Sequence, residues 1–233
     1  MDIKKNLKNP DIQYWPDVRW WLAEGFHTDE TLKKEIADLH DSGFGAVEFL
    51  AMEEPGADSK LYGWGSEEWV HDSDTVIRET TKRNMGVSMT SGTNWSNANL
   101  IGITPDDRCA AQELDYVAET VKAGSQWKGE LLQPKLFMPG VTKQALIAVV
   151  AAAIAGEQDG KKMLDHNRCI VLTDSVQNDM LDWTVPTDAD YELFFFYIHG
   201  TGQTASPSVD VSYTINYMDI EGVEAFKEYW DDK

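Results

Sequence analysis

The sequence is poor in basic residues. Its 233 residues include 20 Lys and Arg against 40 Asp and Glu, which gives a formal net charge of −20. Such a charge repels phosphate backbones and anionic membrane surfaces, so neither nucleic acid nor a membrane is expected as a partner. A neutral ligand or a cation is expected instead, although acidity can also serve solubility alone.

Cysteine is scarce as well. The two cysteines, Cys109 and Cys169, lie far apart and have no metal-ligand spacing around them, so they are expected to be free thiols in a reducing compartment. The histidines are equally scattered, and none of them is expected to bind zinc, so no metal ligand is assigned. These histidines are His27, His40, His71, His166 and His199.

Long apolar runs are missing. The run at residues 145–155 is too short to cross a bilayer as a helix, and the lysines among the first ten residues precede no apolar stretch of a secretory signal. The chain is therefore expected to be cytoplasmic. A Gly-rich phosphate loop after a strand and a serine nucleophile elbow are also missing, which argues against those two classes of enzyme.

The first half of the chain alternates strand and helix patterns. Strands are predicted at residues 18–22, 45–50 and 87–90, with helices at 28–40 and from 66 to about 84 between them. Thr28 and Ser66 are the expected helix caps, each followed by two acids that suit the helix dipole. This order predicts an α/β fold whose parallel sheet is covered on both faces, as in a barrel or an open sheet.

A long polar loop follows the third predicted strand. Residues 90–107 are rich in Ser, Thr, Asn and Gly and contain one Trp. Because ligands meet the loops after the carboxyl ends of parallel strands, this composition favours a site for a neutral polyol such as a sugar. A solvated connection is the alternative. Thr104 and Pro105 predict that a helix begins there and runs through Val121.

The second half of the chain has a different pattern of apolar residues. Short β-like runs separated by Gly and Pro turns predict an antiparallel sandwich or a sheet layered on the first part. The alanine-rich run at 145–155 is either helix by propensity or strand, and its Ile and Val residues favour strand. Helical spacing of Val223, Phe226 and Trp230 predicts a terminal helix. The expected domains are therefore 1–130, 131–217 and 218–233.

Few side chains are candidates for chemistry. Glu48 lies inside an apolar strand, so it is either a catalytic or sugar-binding acid or the ion-pair partner of Arg19 or another cation. Trp20 and Trp21 point to opposite faces of their strand, so one can stack on a sugar while the other packs in the core. The other candidate contacts to a sugar lie in predicted loops, and they are Glu53, Glu54, Thr90, Asn94 and Trp95.

Several weak motifs follow one another in an order that resembles the amino-terminal part of the α-L-rhamnosidase-like glycoside hydrolases of family 106. The resemblance covers nearly the whole chain. Its residues are 9–10, 19–21, the helix after Thr28, 42–48, 91–95, 103–106, 129–134, 182–186, 192–198, 200–202 and 219–226.

The resemblance implies a partial (β/α)8 barrel with a β-rich insertion, and hydrolysis of terminal rhamnose linkages with inversion. It also implies a calcium ion near the site in many members. Since a barrel of this kind takes about 250 residues, the catalytic carboxylate pair is expected beyond Lys233, and association with another chain or with itself would complete the barrel. The alternative is a non-catalytic carbohydrate-binding or scaffold protein derived from such an enzyme.

Overall fold

The computed structural model describes residues 8, 10–23, 26–52, 56–63, 65–89, 99–204 and 211–232. Residue contacts divide the chain into two compact units. The first unit consists of Met1–Ile103 and Gln203–Lys233, and the second consists of Thr104–Gly202. No helix among the described residues is both long enough and apolar enough to cross a membrane.

A three-stranded parallel sheet is the centre of the first unit. Its strands are β1 (Asp17–Ala23), β2 (Ala46–Met52) and β3 (Gly86–Met89), in that spatial order. The crossovers between them contain helices α1 (Asp29–Asp41), α2 (Ser59–Tyr62) and α3 (Glu67–Lys82). Thr28 and Ser66 accept hydrogen bonds from the backbone N–H groups of Thr31 and Trp69, which confirms the two predicted caps.

One face of this sheet packs against the helices. Val47 and Phe49 of β2 meet Leu32 and Ile36 of α1 and Val76 of α3 in one core, and all five are at most 2% exposed. The last helix, α4 (Ile220–Asp231), adds Phe226, Tyr229 and Trp230 to this core. Two short antiparallel strands, β4 (Asn99–Ile101) and β11 (Ser212–Thr214), complete the unit.

The second unit is antiparallel. Its strands are β5 (Gln112–Val121), β6 (Gln126–Glu130), β7 (Gln144–Gln158), β8 (Lys161–Val171), β9 (Met180–Thr184) and β10 (Tyr191–Gly200). The main sheet has the spatial order β5-β10-β7-β8, and a separate pair joins β6 to β9. Leu193, Phe195 and Tyr197 alternate along β10 on its buried face, and they share one core with Val149 of β7 and Leu181 of β9.

The predicted fold class is wrong. Among the described strands β1, β2 and β3 pair in parallel, whereas the other eight pair antiparallel, and no (β/α)8 barrel pattern is present there. In the part of the chain that is described, the strand–helix alternation does not continue after β3, and the period-two pattern of buried residues there makes hairpins and sheets. The expectation of helices on both faces of the parallel sheet is also wrong for α1, α3 and α4, which share a core with one face.

Two local expectations had opposite outcomes. The alanine-rich run is strand β7, as its Ile and Val residues indicated, and it pairs with β10 and β8.

The helix predicted from Thr104 to Val121 is wrong. Asp107 caps only a turn by accepting from the Thr104 N–H, and β5 begins at Gln112. Neighbouring strand β10 pairs along all of β5, and these tertiary hydrogen bonds override a local cap signal. The domain division 1–130, 131–217 and 218–233 stays a prediction.

Asp106 joins the turn before β5 to the chain before β7. Its Oδ1 accepts from the backbone N–H groups of Thr142 at 2.9 Å and Lys143 at 3.1 Å, and its Oδ2 accepts from the Thr142 hydroxyl. These donors hold the pKa of Asp106 below its ordinary value of 3.8, with the Thr142 side chain as the largest cause. Each such bond favours the ionised carboxylate.

We expect Asp106→Ala to lower the free energy of unfolding by about 1 kcal/mol at neutral pH, because the charge-assisted hydrogen bonds to Thr142 and Lys143 are lost. The pKa of Asp106 is lower in the folded than in the unfolded protein. The stabilising contribution is therefore present above pH 3.8 and disappears as the pH falls through the lowered pKa. Urea unfolding of both proteins from neutral pH down to about pH 2 measures the difference. A difference that is constant over this range would contradict the account.

Gly200 ends β10 against the chain around Pro105. A Cβ atom at Gly200 would lie 1.9 Å from the Pro105 carbonyl oxygen, so backbone would have to move. Gly200→Ala should therefore cost about 1–3 kcal/mol of stability, as overpacking does. Gly129→Ala is the matched control within β6, since its nearest neighbour is a Trp127 ring carbon at 3.8 Å. Thermal unfolding that shows equal effects for both variants would refute the close approach.

Candidate functional site

The predicted site residues fall into two groups. Trp20 and Trp21 lie in the described strand β1, and Glu48 lies in the described strand β2. The loop candidates lie outside the described residues, and their contact with a sugar stays a prediction. These loop candidates are Glu53, Glu54, Thr90, Asn94 and Trp95.

The register of the parallel sheet brings polar side chains into one row. Arg19 of β1 is the partner of Glu48 in β2, and Glu48 is the partner of Ser88 in β3. Side chains alternate along a strand, so Trp21 lies on the same face as Arg19, opposite the helix-packed core. We call Arg19, Trp21, Glu48 and Ser88 the polar face.

Glu48 is an ion-pair partner on this face. The Nε atom of Arg19 lies 3.1 Å from Oε1 and 3.2 Å from Oε2 of Glu48. The Glu48 side chain is 38% exposed, so it is not an acid buried alone in an apolar strand. The pairing with Arg19 was one of the two alternatives for this residue. A catalytic or sugar-binding role for Glu48 stays a prediction, since a solvent-accessible carboxylate can also accept from a ligand.

The two tryptophans lie on opposite faces of β1, as the alternation along the strand predicted. Trp20 packs beside the core at 6.2 Å from the Phe49 ring, and its indole N–H donates to Glu35 of α1 at 3.0 Å. Trp21 is 36% exposed, and the guanidinium carbon of Arg19 lies 5.7 Å from the centre of its ring. Trp21 is therefore better placed than Trp20 for stacking on a ligand, although sugar contact by either stays a prediction.

The polar face offers the chemistry that a sugar requires. Guanidinium and hydroxyl groups donate hydrogen bonds, carboxylate oxygens accept them, and an indole ring provides an apolar surface. Ser88 was not among the residues predicted for the site. Its position follows from the register of β2 with β3, and residues 40 apart in sequence carry no local signal of it.

A second exposed cluster lies on the main sheet of the second unit. Tyr116 of β5 is 56% exposed, and its ring centre lies 5.6 Å from that of Phe194 and 5.7 Å from that of Phe196 on β10. The rings of Phe194 and Phe196 stack on each other at 5.6 Å. We call these three residues the aromatic patch. Exposed aromatic surface of this kind is typical of binding sites.

No protein-family model matches the sequence, and no curated protein does. Among solved structures, the chain is similar to the rhamnosidase from Novosphingobium sp. PP1Y, with a TM-score of 0.68 and 13% sequence identity. The match covers 100% of this chain and 37% of that chain, so this chain spans about a third of the rhamnosidase. The likeness shows a rhamnosidase-like fold and leaves membership of glycoside hydrolase family 106 unconfirmed.

Proposed function

We propose that this chain belongs to a glycoside hydrolase-like protein that acts on a rhamnoside or a related deoxysugar glycoside. The observation that carries the proposal is the fold likeness to a rhamnosidase along the whole chain. The proposed reaction is hydrolysis with inversion by an acid and a base that act through water, which requires two carboxyl groups about 6.5–9.5 Å apart. A calcium ion near the site would follow from the family resemblance alone.

The polar face is the proposed place of sugar contact on the described strands. Trp21 would stack on the ring, while Arg19 would donate to hydroxyl groups and Glu48 would accept from them. Glu48 is also proposed as one of the two carboxyl groups of the acid–base pair, which departs from the expectation that both lie outside residues 1–233. The loop residues Glu53, Thr90, Asn94 and Trp95 are proposed as further sugar contacts, because they follow β2 and β3 at the carboxyl ends of these strands.

We expect Glu48→Gln to reduce kcat for an aryl α-L-rhamnoside by more than about a hundredfold while KM changes little, since general acid–base groups contribute this much. Glu35→Gln is the matched control. It alters a carboxylate on the helix side of β1, and the amide oxygen can still accept from Trp20. Equal losses in the two variants would contradict a chemical role for Glu48.

The second candidate is a non-catalytic carbohydrate-binding or scaffold protein, which the aromatic patch favours. In that case the chain binds L-rhamnose without turnover, and Tyr116→Ala weakens binding whereas Trp21→Ala does not. Isothermal titration of both variants with L-rhamnose distinguishes the two candidates. A chain with neither rhamnose binding nor turnover would refute both.

Association with another chain or with a second copy stays a proposal. The parallel sheet has β1 and β3 as its edges among the described strands, and unpaired strand edges favour association. Light scattering of the purified chain would give its native mass. A mass equal to the 26.2 kDa of a single chain at micromolar concentration would argue against self-association.

A further inference from the structure

Three metal-ligating side chains meet where α1 lies beside α3. Asp29 is the first residue of α1, and His71 and Asp72 are consecutive residues near the start of α3. One ligand atom from each residue lies within 4.8 Å of the other two. Helix α3 thus supplies an imidazole and a carboxylate, and α1 supplies a second carboxylate.

The donor atoms are close to the arrangement that a small metal ion needs. The Nε2 atom of His71 lies 2.8 Å from Oδ1 of Asp29. A tetrahedral zinc ion with bonds of about 2.0–2.1 Å holds neighbouring donor atoms roughly 3.4 Å apart. Side-chain movements of roughly 0.5–1.5 Å would therefore bring the three donor atoms to this spacing around one ion.

One ligand is held rigidly and two are accessible. The Asp72 side chain is only 4% exposed, and its Oδ2 lies 2.7 Å from Nε2 of His27, which is itself 7% exposed. By contrast, Asp29 is 42% exposed and His71 is 52% exposed, so an ion can enter from solvent. Carboxylates that ligate a metal are themselves hydrogen-bonded by outer-shell groups, and His27 would be such a group for Asp72.

The donor set selects the class of ion. One imidazole nitrogen with two carboxylate oxygens suits Zn²⁺, whereas Ca²⁺ and Mg²⁺ prefer sets made of oxygen atoms. The two acidic side chains also lie close together, and Lys33 bonds to Asp29 at 2.9 Å as a nearby positive charge. A divalent cation would balance the remaining negative charge of the pair.

We propose that Asp29, His71 and Asp72 form a binding site for a zinc-type divalent cation, with His27 orienting Asp72. This site is separate from the polar face and does not depend on the proposed function. It departs from the expectation that none of the histidines binds zinc. That expectation rested on spacing along the chain, and Asp29 and His71 are 42 residues apart.

Isothermal titration of the metal-free chain with ZnCl2 tests the site. We expect one saturable equivalent per chain and an affinity at least about tenfold lower for His71→Ala, since even outer-shell partners contribute this much. The matched control is His40→Ala. His40 lies 3.2 Å from Asp41 in an exposed histidine–aspartate pair at the other end of α1, so this variant should bind zinc as the parent does.

His71 is half exposed, so His71→Ala is expected to fold, and circular dichroism of the metal-free variant checks this. A second readout is the imidazole resonances of the parent chain, where His71 should shift on addition of one equivalent of Zn²⁺ and His40 should not. Three results would overturn the site: no saturable zinc binding, equal zinc affinity in His71→Ala and the parent, or CaCl2 binding that is as tight as zinc binding and insensitive to His71→Ala.

Discussion

The register of the parallel sheet determines both the core and the polar face of the first unit. Side chains on a strand alternate between its two faces, so the pairing of Val47 with Val18 also fixes the pairing of Glu48 with Arg19. Phe49 and Val47 are buried under the helices by the same geometry that leaves Glu48 accessible. A shift of one residue would bury a charged pair and expose the core, which makes this register strongly preferred.

The helices that cover this sheet also create the proposed cation site. Ile36 and Val76 pack in the core below α1 and α3, and this packing positions the first residue of α1 beside His71. Asp72 shows this coupling of core and site, because a carboxylate with 4% exposure needs a partner, and His27 provides one. Apolar burial by the two helices and polar pairing near their N-terminal ends are thus two consequences of the same contact.

The sequence predicts those features that depend on neighbouring residues. Capping at Thr28 and Ser66 needs only the first turn of each helix, and the opposite orientation of Trp20 and Trp21 needs only the alternation along a strand. Pairing between distant strands is a different matter. Strand β10 lies between β5 and β7, and its partners come from far earlier in the chain. Phe196, for example, pairs with Tyr116, 80 positions earlier, and with Ala148, 48 positions earlier. Thr104 and Pro105 resemble a helix start, but the pairing of β5 with β10 decides the structure there.

The candidate sites show the same division between local and distant information. Arg19 and Glu48 are recognisable as potential partners, since each is a charge within an apolar strand, but Ser88 joins them only through the register of a third strand. At 13% identity to a rhamnosidase, the fold is shared while most side chains differ. Alternation at positions such as Val47 and Phe49 is enough to specify a sheet, because many apolar residues satisfy it. A catalytic carboxylate cannot be replaced by other residue types in this way, so the reaction depends on individual side chains such as Glu48 rather than on the fold.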